Sequence, residues 1–413
     1  MSPDGPAVAA APAAPARPTR AADLAALALV ALVLVGVART LPLVRYENDP
    51  DEAHYLVYAR HLALRGVPGV RDLFQDYASQ PERWRFPNPL RLGYLAPAAL
   101  WLRVAGASFE ALSQLSLACH ALLLATSYLL LRALLRDGRA LAATALLACS
   151  PLWLALARRA LVDSTATLSA ALAVAACVAS LGAPRSRRRA GLFAAAFVFA
   201  ILVKETNALL GLPFGLALLA QRLRHGVWPV AAAQAWLAAP ILAFTLWWFA
   251  AGDLATLLRI ALVILRSPAS NPYALQYGGG GWSRYLIDFL LLAPATTLLG
   301  LAGLAVLVWS ARERRVEPAL AFLALLLVAL WLAYQPFTRN VRYVALLELP
   351  LRVLAVSALW QLPLPRARAV ALGVLLLLCW SDWQSFETLF VRGGIYDPVS
   401  AELLGARGLV PLH

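Results

Sequence analysis

The feature that most constrains this chain is a repeated one. Apolar runs, many of about 18–25 residues, recur along its length, and such a run is long enough to cross a hydrocarbon core about 30 Å thick. Lipid offers no water to pair with backbone amides and carbonyls, so each run must satisfy them internally, as a helix. Composition agrees. The chain is 61% hydrophobic and only 14% charged, with a mean hydropathy of +0.70, whereas soluble domains are about half apolar and a quarter charged. A soluble enzyme, a disordered chain and a disulfide-stapled secreted module are all excluded. The expected fold class is all-α, a polytopic integral membrane protein.

The runs fall at 21–44, 109–135, 141–157, 164–182, 190–202, 208–223, 230–251, 287–310, 319–335, 343–360 and 370–380, which predicts about eleven spans. Residues 1–20 are rich in Ala and Pro and carry Arg17 and Arg20, as expected of a disordered cytoplasmic tail. The first run lacks a convincing cleavage site and reads as a retained helix. Residues 21–413 form a single predicted transmembrane domain. Within it, 45–107 is a first outer loop carrying amphipathic helices, 252–286 a second outer loop, and 381–413 a short outer tail.

Charge placement orients this topology. The net charge is +14 and almost every cation is arginine, with Lys204 the single lysine. Basic clusters occupy alternate loops: Arg132, Arg136 and Arg139; then Arg185 and 187–189; then Arg222 and Arg224; then Arg312, Arg314 and Arg315; then Arg366 and Arg368. With eleven spans and a cytoplasmic N-terminus they all fall on one side, as positive-inside loops do. Segment 89–106 is moderately apolar but carries Arg91 and Arg103, and counting it as a crossing breaks the alternation. It is expected to lie in, or dip into, the outer leaflet. The net charge therefore serves topology, and no nucleic-acid partner is expected. The arginine-rich composition fits a GC-rich bacterial genome, which places the chain in a bacterial inner (cell) membrane. Cys119, Cys149, Cys177 and Cys379 all lie in apolar runs and read as small buried hydrophobes.

The loops opposite the basic clusters hold the unusual polar residues. The first contains Glu47, Asp49, Asp51, Glu52 and His54 just after a membrane helix. Acids at a helix start gain from its dipole, and a solvated first turn is one reading of Asp51 and Glu52. The other is a carboxylate at the membrane surface acting as general base. Asp163 sits between two apolar runs, where an ionisable group is functional or paired by default; it also suits a helix cap, and one residue can serve both ends. Lys204 and Glu205 form either a local surface pair or, through the compact ammonium, a phosphate site. The run Gly278–Gly281 reads as a flexible cover over the site or as an anion-binding backbone. Arg339 and Arg342 are interface anchors or lipid-phosphate contacts. His54 and His61 share a helix face, so a divalent ion is conceivable with Asp49 or Asp51, although no metal or other cofactor is predicted.

These motifs, taken in order, resemble a known family. Asp51-Glu52-Ala53-His54-Tyr55 with Ala59-Arg60 follows a D-E-A-x-Y-x-x-x-A-R pattern. Phe86-Pro87-Asn88-Pro89 is a proline pair opened by one residue; Ala157-Arg158-Arg159-Ala160-Leu161-Val162-Asp163 follows A-R-x-A-L-x-D; Leu202-Val203-Lys204 follows L-x-K, with Glu205 where a glycine is usual; and Arg342-Tyr343 opens a late helix. The chain resembles the GT-C glycosyltransferases that use polyprenyl-phosphate sugars, in the branch of the protein mannosyltransferases and aminoarabinose transferases (glycosyltransferase family 39).

The resemblance implies an inverting transfer from a polyprenyl-phosphate-linked sugar to a protein, lipid or glycan acceptor on the outer face, with membrane lipids as the surrounding partners. Asp51 would take the acceptor proton, with Glu52 and Asp163 orienting the acceptor or the developing cation. Lys204, Arg342 and Arg284 would neutralise the leaving phosphate, where fixed cations help most. His54, Tyr55 and Glu205 would position acceptor or sugar. The competing function class is a transporter or flippase of a lipid-linked or anionic substrate, which calls for inverted repeats and interrupted helices near the midplane. No clear internal repeat is present. A non-catalytic subunit of the same fold is a third reading, and the intact Asp51-Glu52 pair argues against it.

Overall fold

The computed structural model describes residues 20–41, 50–135, 138–313, 316–361 and 367–409. The expected N-terminal tail over 1–19 and the acids Glu47 and Asp49 lie outside the described residues. Among the described residues the regular structure is helical throughout, with no strands.

Among the described residues nineteen α-helices follow one another. The first four are α1 (Arg20–Ala38), α2 (Pro50–Arg65), α3 (Val67–Ser79) and α4 (Leu92–Ala105). Then come α5 (Phe109–Leu134), α6 (Arg139–Ala148), α7 (Pro151–Ala157), α8 (Asp163–Leu181), α9 (Arg187–Val203), α10 (Gly211–His225) and α11 (Val230–Ala251). After them lie α12 (Leu254–Ser270), α13 (Pro272–Tyr277), α14 (Arg284–Leu292), α15 (Pro294–Arg312), α16 (Pro318–Tyr334), α17 (Glu348–Trp360), α18 (Ala367–Phe386) and α19 (Ser400–Ala406). Tighter 3₁₀ turns occur at Pro81–Arg83, Glu205–Leu210 and Val341–Leu347, and a π-helical stretch at Glu387–Arg392.

Each predicted apolar run corresponds to a helix or a pair of consecutive helices. Among the described residues seven stretches are long and apolar enough to cross a membrane by themselves, and α6 with α7, bent by 57° at their junction, makes an eighth if the pair is one span. That bend has a local cause: Ser150 accepts a hydrogen bond from the Trp153 amide at 3.3 Å and Pro151 opens the new helix, so chain direction changes where α7 restarts. The outward faces of α1, α11 and α18 expose leucine, isoleucine and phenylalanine, including Leu32, Ile241, Phe249 and Leu376. Such faces suit hydrocarbon.

Close helix packing is written in small residues. A Cβ on Gly300 would come within 2.7 Å of Leu351, and one on Gly303 within 2.3 Å of the Leu354 carbonyl, so the α15 backbone lies directly against that of α17. Gly93 does the same for the site: a Cβ there would meet the Val203 amide at 2.7 Å, so the start of α4 sits against the end of α9. Deeper in the bundle, Arg352 is fully buried between Glu348 of its own helix and Asp382 of α18, with Thr296 also donating to Asp382 at 3.0 Å. A charge in such a setting is stable only when paired.

Two features add to the expected layout. The polar segment 252–286 contains two helices, α12 and α13, and α12 packs its Leu257, Ile260 and Val263 face against Phe74 and Tyr77 of α3. The last helix does not stop at 380. It continues to Phe386 because its polar residues find partners: Asp382 meets Arg352, and Ser385 accepts from Arg407 at 3.0 Å. The chain after it then folds back onto the bundle, where α19 packs on α14.

Candidate active site

One large cavity, of about 880 Å³, opens where α2, the 3₁₀ turns after α9 and α16, the segment around α13 and the C-terminal segment converge. Asp51, Asp163, Lys204, Glu205 and Arg342 all line it. Residues from nearly the whole length of the chain thus reach one space.

The Lys204–Glu205 step is where α9 breaks. Lys204 has extended backbone dihedrals (φ −153°, ψ 121°), and a 3₁₀ turn begins at Glu205. Adjacent side chains therefore take different partners. The Lys204 ammonium donates to Asp163 Oδ1 at 2.6 Å, with both side chains about 4% exposed, and lies 4.4 Å from the Tyr343 ring centre. Asp163 is the first residue of α8 rather than its cap; its carboxylate serves Lys204 instead. The local Lys204–Glu205 surface pair is not formed.

Glu205 turns to the loop before α4. Its Oε1 accepts from Asn88 Nδ2 and Arg91 Nη2, both at 3.1 Å, and its Oε2 from Arg91 Nε at 3.3 Å. Burial pushes its carboxyl up, but the Arg91 charge and these hydrogen bonds outweigh it and bring the pKa down to about 2. Arg91 also donates to the Tyr55 hydroxyl. Asn88 closes its own loop as well, since its Oδ1 accepts the Leu90 amide at 3.1 Å.

Arg342 stands between two carboxylates. Its Nη2 lies 3.4 Å from Asp51 Oδ2 and its Nε 3.3 Å from Asp397 Oδ1. Asp397 comes from the C-terminal segment, and Asn340 Nδ2 (2.8 Å) and the Tyr273 hydroxyl both donate to it. Burial pushes the Tyr273 phenol up, so it remains a donor.

Three predicted site residues are placed elsewhere. Glu52 does not line the cavity; its Oε1 accepts from Arg159 Nε at 2.8 Å and the Ala160 amide at 2.9 Å, which ties α2 to the α7–α8 connection. Consecutive residues on a helix diverge by about 100°, so Asp51 and Glu52 cannot share one face. His54 packs its ring 4.1 Å from Phe86, and burial pushes its imidazole pKa down. Arg284 donates to the Gly279 carbonyl at 2.9 Å, the Tyr277 carbonyl at 3.1 Å and Asp288 at 3.4 Å. Together with Arg339, which donates to the Gly280 carbonyl, it clamps the glycine run by carbonyls, the opposite polarity to an anion-binding loop. Gly280 has φ +116°, which explains a glycine there. For the metal reading, His61 faces Asp72 at 3.5 Å, and no cluster of three or more candidate ligands occurs among the described residues.

Sequence reasoning missed Arg91, Asn88, Tyr273, Asn340, Asp397 and Arg85. The last lines the cavity with its guanidinium 4.9 Å from the Phe86 ring centre and no carboxylate partner among the described residues. Asn88 and Arg91 flank the proline pair and carried a readable signal. Asp397 had none, being an acid in a tail with no motif around it.

Residues 89–249 match the family model described as dolichyl-phosphate-mannose-protein mannosyltransferase, a stretch that includes Arg91, Asp163, Lys204 and Glu205. No curated protein matches in sequence. Among solved structures, ArnT from Cupriavidus metallidurans in the apo state is 19% identical with a TM-score of 0.55, over 94% of this chain and 75% of that one. The same protein bound to undecaprenyl phosphate gives 18%, 0.55, 95% and 76%. The Archaeoglobus fulgidus oligosaccharyltransferase is 14% identical with a TM-score of 0.56, over 88% of this chain and 52% of that one. The chain therefore has the fold of these GT-C membrane enzymes, is similar over residues 89–249 to the dolichyl-phosphate-mannose-protein mannosyltransferase family, and gathers paired cations and carboxylates around one cavity.

Proposed function

We propose that the chain transfers a sugar from a polyprenyl-phosphate donor to a hydroxyl or amine acceptor on the outer face of the membrane, with inversion at the anomeric carbon. The observation that carries this reading is the ion pair between Asp51 and Arg342 at the edge of the cavity, 3.4 Å apart. The acceptor attacks on one side of C1 while the phosphate leaves on the other, so a base and a phosphate-binding cation must face the same cavity, where a sugar can come between them.

In this reading the acceptor O–H or N–H gives its proton to the Asp51 carboxylate as its heteroatom bonds to C1. The C1–O bond to phosphate breaks, and the electron pair leaves with the lipid phosphate. Arg342 and Lys204 face the negative charge that develops there, with Arg85 as a further cation at the cavity wall. Asp163 holds Lys204 in place. Glu205, through Arg91, holds the Tyr55 hydroxyl and shapes the wall beside the sugar. The lipid phosphates named with ArnT and with the archaeal enzyme AglB, bound there to undecaprenyl phosphate and dolichol phosphate, support the donor class. The alternating basic loops support an N-terminus in the cytoplasm and a cavity facing the other side.

The test is a transfer assay with purified protein and a panel of polyprenyl-phosphate sugars, each offered with hydroxyl and amine acceptors. Sugar transfer, or release of lipid phosphate from one donor alone, supports the reading. A protein that neither binds nor cleaves any member of the panel would overturn it.

A further inference from the structure

The two carboxylates on Arg342 differ in exposure. Asp397 is anchored on three sides, by Asn340, by the Tyr273 hydroxyl and by Arg342 itself. Its side chain is 14% exposed, whereas that of Asp51 is 32% exposed. Both contacts to Arg342 are long for charge-assisted bonds, which favour about 2.7–2.9 Å. Arg342 Nε, although 3.3 Å from Asp397, has no hydrogen bond of good geometry. The guanidinium is buried, fixed at its backbone by Asn340 (2.9 Å from the Arg342 amide to Asn340 Oδ1), and under-satisfied at its head. A planar fork in that condition can exchange one anion for another without leaving its place.

We propose that Arg342 exchanges partners during the reaction, and that Asp397 is the positioning residue that makes the exchange possible. Before donor binding Arg342 pairs with Asp51 and occupies one face of its carboxylate. An arriving phosphate takes the Nη2 side of Arg342, and Asp51 is released from that cation to act on the acceptor. Asp397 keeps the Nε side throughout, so the guanidinium turns toward the phosphate rather than following it. It also opposes the phosphate charge, which lets the lipid phosphate leave after transfer. The base is thereby active only when the donor is seated. This rests on the reading above, in which Arg342 meets the donor phosphate, and extends it to a residue of the C-terminal segment.

The experiment measures binding of undecaprenyl phosphate to the purified full chain, together with kcat for transfer, in the wild type, Asp397→Asn, Arg342→Gln and the double variant. The expectation is that Arg342→Gln weakens lipid-phosphate binding by at least about fivefold. Asp397→Asn should tighten it by a similar factor while kcat falls, and Asp397→Glu should restore both in part. In the Arg342→Gln background, Asp397→Asn should leave binding unchanged. A merely structural Asp397 does not tighten binding, and a long-range charge effect persists in the double variant; either result overturns the inference while the phosphate site stands. If Arg342→Gln leaves lipid-phosphate binding intact, the phosphate site itself falls and this inference with it. Should Asp397→Asn not fold, Tyr273→Phe removes one anchor without changing charge and must shift binding and kcat in the same directions, or the proposal fails.

Discussion

Asn88 donates its side-chain amide to Glu205 at 3.1 Å, and these are the two positions at which the chain departs from the pattern it resembles. Asn88 opens the proline pair, and Glu205 replaces the glycine after Lys204. Each departure looks like drift when read singly. In the folded chain they are one feature, a buried acid held by the amide and by Arg91.

That cluster has a measurable pH signature. The Glu205 carboxyl has its pKa lowered to about 2. A lowered folded-state pKa contributes stability above the unfolded value, about 4.3, that is lost as pH falls toward 2. Thermal unfolding of the wild type should therefore shift downward between those pH values. Glu205→Gln should show a shallower decline there and a lower midpoint at neutral pH, because Arg91 loses its partner. Parallel wild-type and Gln curves across the acid range would refute this account of Glu205.

Asp51→Asn should fold, bind the lipid phosphate and transfer sugar about 10²–10⁴-fold more slowly, since asparagine cannot take the acceptor proton. Single-turnover transfer beside a binding isotherm separates the two effects. Asp49 lies outside the described residues and outside the matched motif, so Asp49→Asn is the comparison and should keep much more activity. Were Asp49→Asn inactive and Asp51→Asn active, the assignment would move to Asp49.

Lys204→Ala should lose both donor binding and stability, because it leaves Asp163 buried without its cation. Removing one partner of a buried pair costs about 3–5 kcal/mol. The double change Lys204→Ala/Asp163→Asn should recover part of the stability but not the activity, and Lys204→Arg should retain part of both. Donor titrations and melting curves on the three variants check this; wild-type donor binding in Lys204→Ala would remove Lys204 from the phosphate site.

Topology is open to direct test. Cysteines introduced at Ser79, which is exposed at the end of α3, and at Ser186, at the start of α9, should label with a membrane-impermeant thiol reagent from opposite sides. Labelling from one side would refute the eleven-span arrangement and the outward orientation of the cavity.

The sequence by itself determined the class of fold. Apolar runs in hydrocarbon must become helices, since nothing else satisfies their backbone, and each predicted run corresponds to helical structure. It also marked Asp51, Asp163, Lys204, Glu205 and Arg342, because an ionisable residue beside such a run is costly unless paired or used. What it did not contain is the pairing. Whether Lys204 meets Glu205 or Asp163 depends on the break of α9 into extended backbone at Lys204, and whether Glu205 meets Arg91 depends on Gly93 letting α4 approach Val203. Glu52 and Arg284, equally charged and equally close to motifs, turn to backbone and other partners by helix geometry alone. Asp397 enters the site only because the C-terminal segment folds back onto Asn340 and Tyr273. Ion pairing falls off with distance and strengthens on leaving water, and both quantities are set by how the helices pack.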